Sequence, residues 1–444
     1  MANNYKKHTK YIILIAVSAL VSAILSFLAG FLSVRLIKTV KYEKALDYIE
    51  NHQYSEALDL LADLDGFKDA DDKYLLAKYL SKGEYKNAIN ELGLTEFSIP
   101  EGVTAIKTRE FESCITLKKI IIPNSVTIID EYAFYNCTSL ENIIWGNSIT
   151  TIKDSAFKNC ESLKSLTIPN TVSKIEPLAF FNCKSLQTLD LGKNADKIGQ
   201  SAFAFCTSLT TVTVPNSTTV LEESVFEGCT SLQSAFIGNY VKYICPKAFY
   251  NCTALTTVQL GNNVKSIGED AFRECTSLAT INLPETVTAI ENYAFYYCSS
   301  LKSITIGNKV TEIGTYAFYA CTNLESVSLG SGIKKINNFA FASCEKLSSL
   351  TLPNSLTTIG SFAFSKTNIK NIVIPSSVTA IGKAAFQKCN NLESITFADT
   401  STWYRTTSLT DWERKTNGSI KSVSSPTENV TNFVSNQSYY WYKK

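Results

Sequence analysis

LKKIIIPNSVTIIDEYAFYNC, residues Leu117 to Cys137, returns after a shift of 23 as residues 140–160 and again as 163–183. Phe111 opens a column that recurs every 23 residues as far as Phe364, and Phe386 follows one residue early. A cysteine stands three places after each Phe from Cys114 to Cys344; Thr367 takes the next place and Cys389 closes the series. A fixed period of this size predicts a solenoid, in which each unit buries its apolar side only against its neighbours.

One unit reads L-x-x-I-x-I-P/G-x-x-V-x-x-I-x-x-x-A-F-x-x-C. Leu117, Ile120 and Ile122 end in alternation, the pattern of a short strand with one buried face. Pro123, Gly146, Pro169, Gly192, Pro215 and their successors then stop the strand, because proline donates no ladder hydrogen bond and glycine turns easily. The returning half (Val126, Ile129, Phe134, Cys137) supplies inward apolar residues without alternation, so an irregular or short helical arc is expected there.

This pattern resembles a leucine-rich repeat, and its A-F-x-x-C continuation resembles the BspA-like subclass of bacterial surface proteins, over residues 97–397. The resemblance implies an α+β repeat protein: about 13 turns across 94–397, with a parallel sheet on the concave face. Common leucine-rich repeats place Asn or Cys at the ninth position, where this chain has Ser125, Ser148 and Thr171; no regular asparagine ladder is expected.

Residues 1–10 form a short basic head. Tyr11–Val34 follows with 24 residues free of charge, about 36 Å as a helix against roughly 30 Å of hydrocarbon. An uncleaved transmembrane signal anchor is the expected reading; a cleaved signal peptide, whose apolar region is usually shorter, and a buried core helix are its rivals. Lys6, Lys7 and Lys10 are balanced by Arg35, Lys38, Lys41 and Lys44, so the positive-inside rule barely chooses an orientation. The minimal head and the resemblance to surface proteins put the bulk of the chain outside.

Residues 35–93 repeat Y-x-x-A-[LI]-x-x-[LI] at Tyr42, Tyr54 and Tyr85, a spacing that lines one helix face. They are similar to tetratricopeptide-like helix pairs, and read either as a stalk or as a small partner-binding module. From 398 to 444 the composition turns to Ser, Thr and Asn with interspersed Trp and Tyr. This segment is expected to cap the last turn, Trp403 and the closing Tyr-Tyr-Trp-Tyr packing on it; a carbohydrate- or wall-binding patch and disorder are the alternatives.

The two histidines, His8 and His52, lie outside the repeats, which removes Ser-His-Asp, Cys-His and histidine-metal arrangements from them. No phosphate-binding glycine loop follows a strand, and Glu222 and Glu223 read as solvated surface. No enzyme activity and no cofactor are expected, and a net charge of +2 offers no field for nucleic acid. Twelve of the 13 cysteines occupy one equivalent inward place per turn, the pattern of a buried thiol ladder rather than of a disulfide framework.

Function then falls to surfaces. The outward strand positions (Lys164, Thr167, Thr211, Thr213, Thr257, Gln259, Lys302, Thr305) form a polar, nearly uncharged sheet that strand propensity alone would produce, yet that suits an extended protein or glycan ligand. Thirteen strands would make it roughly 60 Å long. Tyr293, Tyr296, Tyr297, Tyr316 and Tyr319, beside the Ala-Phe turn with Phe339 and Phe362, form a second candidate. Two classes remain: a membrane-anchored surface protein that binds an extracellular protein or glycan, and a structural envelope component without a foreign ligand.

Overall fold

The computed structural model describes residues 2–399, 401–421, 423, 426–435 and 439–443, in two compact units, Met1–Leu94 and Thr95–Lys444.

In the first unit, helix α1 runs without interruption from Ala2 to Glu50. The charged residues that begin at Arg35 do not end the apolar helix, because neither Gly nor Pro occurs from Phe31 to Glu50 and Arg, Lys, Glu and Leu are all good helix formers. The apolar run and the first tyrosine set therefore share one helix. From His8 to Glu50 it is the one helix among the described residues long and apolar enough to cross a membrane, and its apolar window has no buried residue. Helices α2 (Tyr54–Leu61), α3 (Ala70–Lys82) and α4 (Tyr85–Leu92) follow. Gly83, at φ 67°, takes the left-handed conformation that ends α3 and lets α4 begin two residues later. Tyr42 and Ala45 pack with Ala57, Leu61, Leu64, Ala70 and Ala77 into a small core.

In the second unit, most 23-residue turns make two strands; those at 278–283 and 347–352 lack the first. The first carries the Leu-x-x-Ile-x-Ile motif, as in Ser165–Thr167 and Thr211–Val214. The second is a pair such as Ile128–Ile129 or Thr151–Ile152, placed where an irregular or helical arc was expected. A two-residue strand has too little length for alternation to show in the sequence. It forms because the turn on either side is stacked in register: Ile129 lies opposite Ile106 and Ile152.

These short strands build parallel sheets that are interrupted once, between Ile198 and Val220. The longer strands are interrupted more often. They group into sheets of three (96–144), five (165–259), two (303–329) and two (371–397), so the uninterrupted 60 Å sheet expected from the repeat count is instead divided. Turn spacing is held by what lies between the two strand sets. Phe rings from Phe111 to Phe386 stack at 4.8–5.9 Å. Beside them, Phe amides reach the carbonyl of the residue before the next Phe, as Phe134 does to Ala156 at 2.7 Å and Phe203 to Val225 at 3.0 Å.

Asparagines bond neighbouring turns one place before the ninth position, in a ladder broken where Lys193, Glu285, Ser331 and Ser376 take the place. Asn124 accepts from the Asn147 amide, Asn216 from Asn239, Asn239 from Asn262 and Asn308 from Ser331, at 2.8–3.2 Å. The turn after Pro or Gly puts this carboxamide beside the neighbouring backbone, and the ninth position reaches it as well: Ser125 accepts from the Gly102 amide at 3.2 Å, and Ser355 donates to the Ile333 carbonyl at 2.7 Å.

The chain ends in an antiparallel closure. Tyr440–Lys443 pairs with Ala380–Ile381 of the last short strand and with Trp403–Thr406, which pairs in turn with Ser419–Lys421. Trp403, Trp441 and Tyr442 are buried. Phe433 meets Phe386 edge-on at 89°, ending the ring stack.

Candidate functional site

Each turn contains a tight corner between its short strand and the next long one, and the backbone of that corner is set by two left-handed residues. One column of them includes Tyr132, Ser155, Tyr293, Tyr316, Phe339 and Phe362; the other includes Asn136, Asn159, Asn182, Asn251 and Tyr297. Asn and Gly enter this conformation most readily, and Gly228 stands in the second column at φ 69°. The recurring Asn was the sequence signal for it.

Because the corners stack, side chains in these columns stack too. Tyr293, Tyr316, Phe339 and Phe362 lie ring on ring at 4.6–5.1 Å with planes within 5°. Tyr296 stacks on Tyr319 at 5.0 Å, and Tyr297 leans against both. All five tyrosines singled out in the sequence thus fall in one patch. Tyr297 is exposed (45%), while the other four are half-buried against each other. The Arg273 guanidinium lies 4.7 Å over Tyr296, held by Asp270 and Glu274. Burial acts to lower the pKa of Arg273, but these carboxylates outweigh it. Burial, with Tyr297 and Tyr319 alongside, raises the Tyr296 phenol, and burial also raises Tyr316. The patch therefore presents neutral phenols beside one fixed cation, suited to hydrogen bonding and stacking rather than to acid–base work.

The strand face is polar and exposed throughout the positions read from the sequence, with Lys164, Thr167, Thr211, Thr213, Thr257 and Gln259 on the five-stranded sheet. Lys302 and Thr305 lie across the break, on the next sheet, where Thr305 is in register with Ser328. Three exposed apolar residues on this face escaped the sequence reading: Ile144, in register with Ile121, and Phe236 and Val373. Phe236 sits between Thr213 and Gln259 in the register, and Val373 lines a groove of about 470 Å³ with Leu350, Asn371, Ser394 and Thr396. Their signal was an apolar residue at an outward strand position.

The thiols line the interior. All 13 are free, and every one but the half-buried Cys245 is buried. Cys137 donates to the Phe111 carbonyl at 3.0 Å, one turn earlier, and Cys298 does the same to Phe272 at 3.1 Å. Desolvation pushes the Cys206 thiol up to about 12. Among the described residues, no group of three His, Cys, Asp or Glu is placed to hold a metal ion.

Short parallel strands repeated once per 23-residue turn, stacked on phenylalanine and thiol columns, define a leucine-rich repeat solenoid. The chain belongs to the BspA-type leucine-rich repeat family: overlapping matches to that repeat region cover residues 85–437. It is similar to a leucine-rich repeat protein from Bacteroides ovatus, with 30% identity over 68% of this chain and 86% of that one, at a TM-score of 0.55. A leucine-rich cell surface protein from Faecalibacterium prausnitzii is 26% identical over 72% of this chain and 90% of its own, at a TM-score of 0.40. Among curated proteins, none matches.

Proposed function

We propose that this protein is a non-catalytic surface binder: α1 anchors it through residues 11–34, and the solenoid meets an extracellular protein or glycan outside the cell. The observation that carries the reading is the tyrosine patch. Tyr296 and Tyr319 stand where other turns carry Lys158, Glu227 and Arg273, so the core does not demand an aromatic there. Rigid, amphipathic Tyr side chains supply binding contacts at low entropic cost. The strand face, with Phe236 among its threonines, is the second contact surface.

One feature favours the rival reading of a structural envelope component. The stack Tyr293–Tyr316–Phe339–Phe362 continues from turn to turn like the interior Phe column. Replacing Tyr296, Tyr297 and Tyr319 together with Ser separates the two. Binding to panels of matrix proteins and glycans falls at least several-fold if the patch is a contact surface, with the melting temperature lowered by only a few degrees. A folded triple variant that binds as the parent does assigns the patch to packing alone.

A further inference from the structure

Phe31, Val34, Arg35 and Lys38 are spaced i, i+3, i+4, i+7 and so share one face of α1. The loop between α2 and α3 brings Phe67 and Lys68 against that face, enclosing a groove of about 430 Å³. Two apolar side chains line one end, Phe31 and Val34, both more than half exposed. Three cations, Thr39 and Phe67, and no carboxylate, line the rest.

Two of the three cations are not spent on the protein itself, and the third keeps donors to spare. Lys68 is steadied by Glu43 at 2.9 Å and lies 4.3 Å over the Tyr42 ring, leaving further ammonium hydrogens to donate. Among the described residues, Arg35 and Lys38 have no carboxylate partner, whereas the next lysine along, Lys41, is paired with Asp63. Lys68 is held at φ 51°, in the left-handed region, so the loop that carries it has a defined conformation.

The groove's height matters as much as its charge. About 20 helical residues cross the hydrocarbon, so a run beginning at Tyr11 leaves it near Phe31. Phe31 and Val34 then lie at the acyl boundary and the cations one turn further out, at the level of lipid phosphate. We infer that this groove binds the phosphate headgroup of an anionic phospholipid, with an acyl chain along Phe31 and Val34. The inference rests on the reading of residues 11–34 as a membrane span. It gives the cations after the span a role of their own, since such charges on an exported flank run against the usual bias.

The test uses the full chain purified in detergent and analysed by native mass spectrometry with phosphatidylglycerol or phosphatidylcholine added. The parent protein retains one phosphatidylglycerol with a preference of roughly 30- to 150-fold, as expected for two or three cations near an anionic headgroup. Arg35→Gln with Lys38→Gln cuts that preference at least tenfold, leaving Lys68 alone, while Lys41→Gln with Lys44→Gln, an equal change in charge, preserves it. Equal retention in both double variants, or no preference in the parent, overturns the site. Glycerol phosphate, lacking acyl chains, fails to displace the lipid; displacement at matching concentration would reassign the groove to free phosphate. Alkaline carbonate extraction of cell membranes reads the underlying span separately: recovery of the chain in the soluble fraction refutes the span itself.

Discussion

Phe249 shows how much a single position of the repeat carries. Its ring is fully buried and stacked between Phe226 at 5.6 Å and Phe272 at 5.3 Å. Emptying such a site costs about 3–5 kcal/mol, so Phe249→Ala should lower solenoid stability by that amount in urea unfolding; a loss under about 1 kcal/mol would show that the column is not core. The thiol column makes a different prediction. Iodoacetamide applied to the native protein near pH 8 should modify Cys245 alone and slowly, since that thiol is half-buried and pushed up to about 11 by burial and by Glu222 and Glu223; unfolding should release all 13. Rapid native labelling of several cysteines would contradict the ladder. Both columns were legible in the sequence because an inward residue recurs with one identity. The left-handed corners were less so, since Tyr, Ser, Phe and Lys share those places with Asn, and only the Asn and Gly positions betray the backbone.

The elements that were hardest to read are those whose partners lie a whole turn away. Ile128–Ile129 has no strand signature of its own, and becomes a strand because Ala105–Ile106 and Thr151–Ile152 stand beside it. Helix α1 passes from the apolar run into residues 35–50 without a break, since charge does not stop a helix that nothing else stops. The C-terminal closure is a matter of composition and edges: a parallel sheet leaves an open strand, and an aromatic-rich segment covers it. At its end Lys443 donates to Asp399 at 2.7 Å and to the Ser376 carbonyl at 2.9 Å. Burial would raise Asp399, but Lys443 and Ser401 hold its carboxyl below the ordinary value. A carboxylate lowered on folding stabilises above its unfolded pKa of about 4 and loses that contribution as pH falls through the lower folded one. Hydrogen-exchange protection of Tyr440–Lys443 should therefore decline as pH drops below about 4. Asp399→Asn should show the reduced protection already at neutral pH; unchanged protection in that variant would remove the ion pair from the account of the cap.

Across the whole chain, two kinds of pattern point the same way. Charge-free Tyr11–Val34 lies on a helix whose apolar window has no burial among the described residues, and the repeats display polar strands and a tyrosine patch. The fold was legible because repetition multiplies a weak motif thirteenfold; the binding surfaces were legible only as candidates, because exposed Thr and Tyr at recurring places satisfy solubility and recognition equally well. The proposed function depends on the side of the membrane on which the solenoid lies. Protease added to intact cells decides that most directly. The account predicts that the repeats are digested while a fragment spanning residues 1–34 stays protected; full-length protein that survives until the cells are lysed would place the solenoid inside and contradict it.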